Sequence, residues 1–341
     1  MSDSEPTPAS AAPGHPDDGR ARLDAIAVDA LRSYGIVPDA GLTLLNVSEN
    51  ATYRIDDPVT GRCTVLRVHR PGYHTRRAIE SELAWVAAVR TDQVVRTPHV
   101  VPAQDGSLVV VCEHPDGEAR HAVMFEWVPG SEPPEDRLVE DFAELGAITA
   151  RLHRHARTWQ RPPGFTRLTW DYDRSIGAEG HWGRWQAGLG VGPAEHAQLT
   201  RLDQRLRDRL ATFGTGADRF GLIHADMRLA NLLVHDGSVS VIDFDDCGFG
   251  WYMYDLGSSL SFIEHYPTVP EMIDSWVRGY RSQAPLSAEE VAELPTFVLL
   301  RRLLLVAWIG SHADTQLAQE MGEEYTRVSC DLAEDYLARS S

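Results

Sequence analysis

The stretch that most constrains this chain runs from Gly221 to Leu256 and reads GLIHADMRLANLLVHDGSVSVIDFDDCGFGWYMYDL. Asn231-Leu-Leu-Val and Ser238 to Phe244 are short apolar runs of β type, joined by His235-Asp-Gly, a hairpin signal. Pairing the runs sets Asn231, at the start of one, beside Asp243, at the end of the other. An amide oxygen and a carboxylate so placed suit Mg²⁺, which takes few protein ligands and completes its octahedron with phosphate oxygens and water. Asp226 precedes the hairpin and is left to face a hydroxyl, whose proton it can accept. The spacing H-x-D-x(4)-N alone would arise by chance in roughly one chain in a hundred of this length. The hairpin and Asp243 are further constraints on top of it. The chain also avoids asparagine, which occurs only at 46, 50 and 231.

Composition removes several classes. The 341 residues suffice for two lobes with separate cores. A formal net charge of -18 speaks against a nucleic-acid partner, since phosphate backbones are bound by clustered cations, and it favours cationic small molecules or metal ions. There is no lysine, so Schiff-base chemistry, lysine bases and the lysine P-loop are excluded. Cys63, Cys112, Cys247 and Cys330 form no C-x-x-C pair and fit reduced thiols in the cytoplasm. Residues 1–20 read as a disordered tail without the apolar core of a signal peptide. Phe297 to Ile309 is apolar but is broken by Arg301 and Arg302, and reads as a buried helix with no membrane role. Oligomeric state is not readable.

Along the chain, helical spacing from Arg22 ends at Gly35. Strand-like runs follow at Leu42 to Val47, Ala51 to Ile55 and Cys63 to Val68, then a helix over Thr75 to Arg90 and strands at Ser107 to Cys112 and His121 to Trp127. From Leu138 onward helical periodicity takes over, with helices expected at Leu138 to Ala156, Ala194 to Ala211, Glu271 to Ser282, Ser287 to Ala307 and Asp314 to Ala338. The fold class is therefore α+β: a small β-sheet lobe with one packed helix over 21–127, and a larger, mainly helical lobe over 128–341.

Other residues join the first stretch. Between Leu45 and Ile55 a polar turn holds Ser48 and Asn50, which can lie over phosphates. Arg67 sits in an apolar strand and needs a partner. Glu82 shares the inward stripe of the following helix with Ile79, Leu83 and Val86, so the two suggest an ion pair that clamps phosphates. Arg228, two residues past Asp226, can neutralise a transferring phosphoryl group or lie on the surface. His153 and His155 face different directions and read as helix-packing residues. Arg301, Arg302 and Trp308 read as anchors of an apolar helix before they read as an acceptor pocket.

These motifs resemble the aminoglycoside phosphotransferase and choline kinase superfamily, from about Leu42 onward, near the branch of stress-response kinase A, homoserine kinase and hydroxylysine kinase. The resemblance implies a bilobal protein-kinase-like fold and ATP, rather than GTP, as phosphoryl donor with Mg²⁺. It makes Asp226 the catalytic base and Asn231 and Asp243 the metal ligands, with His224 and Asp255 as structural support. Arg67 and Glu82 would set the phosphates, and Phe125 to Gly130, including Trp127, would form the hinge whose backbone binds adenine. Ala225 replaces the family's usual glycine. The implied activity is transfer of the γ-phosphoryl group to a hydroxyl of a small molecule, one bearing an amine in the favoured case. A protein serine/threonine kinase of the stress-response type and a nucleotide-binding pseudokinase are the competing readings.

Overall fold

The structure, a computed structural model, describes residues 16–37, 39–47, 50–113 and 119–339. Two compact units divide the chain. One comprises Met1–Arg76 with Val100–Trp127, the other Arg77–His99 with Val128–Ser341.

The first unit is an antiparallel sheet under one helix. Helix α1 (Pro16–Ser33) precedes strands β1 (Gly41–Val47), β2 (Ala51–Asp56) and β3 (Cys63–Val68), and β4 (Val100–Val101), β5 (Val110–Glu113) and β6 (Ala119–Glu126) complete the sheet. The strand order is β1-β2-β3-β6-β4, with β5 also paired to β6. Alternation in β2 puts Ala51, Tyr53 and Ile55 in the core, where they meet Ile26, Ala27, Ala30 and Leu31 of α1. The Tyr53 hydroxyl, carried into this core, donates to Asp24 of α1 at 2.9 Å. Helix α1 thus covers this sheet within the first unit. It begins at Pro16, inside the stretch 1–20 read as a tail. Strand β5 starts at Val110 and not at Ser107, because Ser107 is spent on a turn in which its N–H and hydroxyl both donate to Asp105.

In the second unit, helix α2 (Arg76–Thr91) buries Ile79, Glu82, Leu83, Trp85 and Val86. Residues 77–99, assigned from sequence to the 21–127 lobe, cluster here. Helix α3 (Leu138–Thr158) leads to strand β7 (Leu168–Trp170), a single turn α4 (Tyr172–Ser175), α5 (Pro193–Phe213) and strand β8 (Phe220–Ile223). Strands β9 (Leu232–His235) and β10 (Ser238–Val241) form the hairpin, followed by β11 (Gly248–Trp251), α6 (Tyr254–Ser259), α7 (Val269–Gln283), α8 (Ala288–Ser311) and α9 (Gln316–Arg339). Strand β11 lies between β7, to which it is parallel, and β8, to which it is antiparallel.

Two features fix the helical scaffold. Helices α3 and α7 cross closely enough that a Cβ on Gly279 would stand 1.8 Å from the Ala143 carbonyl, and one on Gly146 2.1 Å from that of Trp276. Helix α8 starts at a capping box, in which the Ser287 hydroxyl accepts from Glu290 N at 3.1 Å and Glu290 accepts from Ser287 N at 2.8 Å. By length and composition α8 could cross a membrane, yet 83% of its apolar window is buried within the protein. It is a core helix.

Candidate active site

The hairpin is built as its sequence requires. Asp236 and Gly237 take φ of 47° and 70°, the left-handed pair of a type I′ turn, and register runs from His235↔Ser238 to Leu232↔Val241. One further bond extends it, from Ile242 N to Asn231 O at 2.9 Å, so Asn231 stands beside the residue preceding Asp243.

Asp226 is the most heavily engaged residue here. Its Oδ2 accepts from Asn231 Nδ2 at 2.7 Å and Arg228 Nε at 3.2 Å, and its Oδ1 from Arg301 Nη2 at 2.6 Å. Burial acts to raise its pKa, but Arg228, then Arg301 and His224, with the Asn231 hydrogen bond, outweigh burial and hold the carboxyl below its ordinary range. Asp226 is therefore ionised near neutrality, as an acceptor must be.

A shared brace holds the turn that carries Asp226. Asp255, fully buried in α6, accepts from His224 N at 3.1 Å and Ala225 N at 2.7 Å. His153 of α3 contacts the same carboxylate through Nε2 at 3.0 Å and Tyr280 through Nδ1 at 3.1 Å. Burial lowers the His153 pKa, so the ring is neutral, donating from Nε2 and accepting at Nδ1. His224 links the turn to the second strand. Its Nδ1 accepts from Asp226 N at 3.3 Å and its Nε2 donates to Ile242 O at 3.2 Å, while its ring packs on Phe244. Ser258 adds an acceptor for Met227 N at 2.9 Å. Under this bracing Ala225 and Asp243 take left-handed backbone, φ 68° and 58°, which costs an L-residue of order 1–3 kcal/mol each.

Asn231 and Asp243 suit a hard cation. Because Asn231 Nδ2 donates to Asp226, both to its backbone oxygen at 2.9 Å and to Oδ2, the amide oxygen is turned away from those partners as an acceptor. Asp243 Oδ1 accepts from Asp245 N at 3.4 Å. Among the described residues no group of three or more His, Cys, Asp or Glu is placed to hold a metal. An amide oxygen and a carboxylate are hard donors of the kind Mg²⁺ takes when phosphate and water complete its shell.

The remaining candidates divide between the two units. Arg67 belongs to the first unit, its guanidinium over the Phe125 ring at 5.2 Å, and Trp127 of the same unit lies under Arg54. Glu82 belongs to the second unit, 1% exposed, in the electrostatic reach of Arg167. Arg167 is itself buried and donates to the backbone oxygens of Ala78 at 2.9 Å, Cys247 at 2.6 Å and Asp245, tying α2 to the segment after Asp243. The Asn50 side-chain oxygen accepts from Arg70 N at 3.0 Å, which ties the start of β2 to the end of β3. Ser48 lies outside the described residues.

Sequence reading missed His153, Ser258, Arg167 and the engagement of Arg301 with Asp226. A signal existed for two of them. His153 falls four residues after buried Thr149 on the inward stripe of α3, and Arg301 interrupts an apolar run. A cavity of about 1150 Å³ also lies in this unit, lined by Arg90, Thr97, Phe142, Leu229, Leu232 and Ser240 and not by Asp226.

Comparison with known proteins points one way. A family profile described as the phosphotransferase enzyme family matches residues 42–291. The structure of a microcompartment-associated aminopropanol kinase is 50% identical, covers 92% of this chain and 98% of its own, and superposes with a TM-score of 0.86. The amicoumacin kinase of Bacillus subtilis (strain 168) is 24% identical over 223 residues, 62% of this chain and 63% of that one. Amicoumacin kinase hAmiN, solved with AMP-PNP, Ca²⁺ and Ami, shares the fold at 21% identity, a TM-score of 0.74 and coverage of 93% and 96%.

Proposed function

We propose that this chain, which belongs to the phosphotransferase enzyme family and is an ATP-binding small-molecule kinase with an alcohol acceptor, phosphorylates the hydroxyl of a short amino alcohol. The observation that carries the acceptor class is its similarity to an aminopropanol kinase, at half of all aligned positions and over nearly that protein's full length. The acidic Asp245 and Asp246, both buried two and three residues past Asp243, supply a field that favours an ammonium group.

In this reading the acceptor hydroxyl donates to the Asp226 carboxylate, which orients its oxygen in line with the γ-phosphorus. The new O–P bond forms as the bond from phosphorus to the β-phosphate oxygen breaks. ADP leaves with that electron pair, and the hydroxyl proton passes by way of Asp226 to solvent. Asn231 and Asp243 would hold Mg²⁺, which when bound offsets negative charge on the phosphates. Arg228, through Nε on Asp226, has its remaining guanidinium nitrogens to offer to the transferring group. His224 and Asp255 act through the backbone of the turn and not on substrate. The compartment implied is the cytoplasm, consistent with four cysteines that form no disulfide.

The test is ADP release with Mg-ATP across ethanolamine, aminopropanols, the matching alcohols without the amine, homoserine and an aminoglycoside, with phosphorus NMR of the product. An amino-alcohol phosphomonoester should form with kcat/KM at least tenfold above the amine-free alcohol. Equal turnover of the amine-free alcohol would sink the acceptor assignment, and Asp226→Asn with most of its kcat intact would sink the role of Asp226.

A further inference from the structure

We propose that Arg301 is a positioning residue for phosphoryl transfer, which fixes the Asp226 carboxylate so that Oδ1, and not Oδ2, receives the acceptor hydroxyl. The proposal rests on the reading of Asp226 as the residue that takes this hydroxyl.

The argument is a count of lone pairs. Each oxygen of an ionised carboxylate has two acceptor sites. On Oδ2 both are taken among the described residues, by Asn231 at 2.7 Å and Arg228 at 3.2 Å. On Oδ1 one is taken, by Arg301 Nη2 at 2.6 Å, which leaves one direction for an incoming O–H. The acceptor therefore approaches the oxygen that α8 holds.

Arg301 is built to hold it. The side chain is 3% exposed, and its Nε donates to Ser261 Oγ at 2.9 Å. Its Nη1 donates to the Tyr254 hydroxyl at 3.2 Å and, more weakly, to Ala225 O at 3.4 Å. The Trp182 ring lies against the guanidinium, 5.1 Å from its centroid. A planar fork anchored at Nε, Nη1 and on its face cannot turn, and neither can a carboxylate joined to it by a short charge-assisted bond. Lysine, a point charge on a flexible stem, would keep the charge and lose the plane.

Three variants test this against a bland role in helix packing. Arg301→Lys should lower kcat by roughly 10–100-fold, the loss expected when a reacting group is misplaced by about 1 Å, with KM for ATP changed less than about threefold. Ser261→Ala, which keeps the cation and removes its Nε anchor together with the Ser261 hydroxyl's bond to Ser258 O at 2.6 Å, should lower kcat by about 3–10-fold, again with KM for ATP preserved, and it carries the test if Arg301→Lys does not fold. In an Asp226→Asn background, Arg301→Lys should lower the residual rate no further, since residues acting as one unit are not additive. Folded Arg301→Lys with at least half of the parent kcat overturns the proposal, as does folded Ser261→Ala at parent kcat where the lysine variant is lost, or additive losses in the double variant. Asp226→Asn alone separates the cases. If it stays active, the reading of Asp226 fails. If it is dead while Arg301→Lys works normally, only the role of Arg301 fails.

Discussion

Ala225 shows how much the site demands of single residues. Its φ of 68° and full burial put a Cβ where glycine is the easy choice, and the backbone is kept there by Asp255 and by the hydrogen bonds of its neighbours. Ala225→Val should lose about 3 kcal/mol, from β-branching in left-handed backbone together with overpacking, read as a lower urea midpoint with an unchanged slope. At this scale the candidate residues Asp226, Asn231 and Asp243 could be picked out because their spacing is local, within one hairpin's length. Arg301 could not, because 75 positions separate it from Asp226, and no spacing rule spans such a gap.

Elements obey a second kind of constraint, which only packing reveals. Gly279 in α7 and Gly19 in α1 are both helical glycines, so propensity alone predicts a gain of about 1 kcal/mol for alanine at each. At Gly19 nothing stands within 4 Å of a new Cβ, whereas at Gly279 the Ala143 carbonyl stands at 1.8 Å, and it belongs to a helix backbone that cannot step aside. Gly19→Ala should therefore raise Tm, and Gly279→Ala should lower it by several degrees, with a net loss of about 1–3 kcal/mol. Equal signs in thermal melts would contradict the close crossing of α3 and α7. Helix positions were readable from their 3.6-residue period, and the five expected after Leu138 all exist within a few residues of their expected ends. Strand β4, two residues long, was beyond any period, and the packing of α1 on the sheet is a long-range contact that leaves no local trace.

For the molecule as a whole, two histidines contribute to the response to acid, His153 buried and His181 half-buried. His153 is neutral because burial lowers its pKa, and His181, also lowered first by burial, acts in the same sense. An unfolded chain protonates these rings near pH 6.5, whereas the folded chain refuses the proton until a lower pH. Stability is thus fully present above about pH 6.5 and falls below it, by up to about 1.4 kcal/mol per pH unit for each ring. Urea midpoints between pH 7.5 and 5 should show this slope, and His153→Gln should flatten it, although less stable at neutral pH for want of the bond to Asp255. A variant with the parent slope would show that His153 takes up its proton in the folded state. The division into units was only partly visible beforehand. A change of periodicity marks Val128, but residues 77–99 join the later part of the chain through contacts that leave no local trace.

Neighbouring positions on a helix point about 100° apart, and α8 uses that divergence at Arg301 and Arg302. The first reaches Asp226. The second donates to Glu264 at 2.7 Å, to Ser329 at 2.7 Å and to Tyr325 O at 2.9 Å, fastening the helix to α9. A residue gained or lost between Ser287 and Arg301 would swing both guanidiniums off their acids together. Side chains elsewhere on α8 can be exchanged one at a time, but the length of the helix between Ser287 and Arg302 is closed to change. Diversification by insertion and deletion is left to the loops.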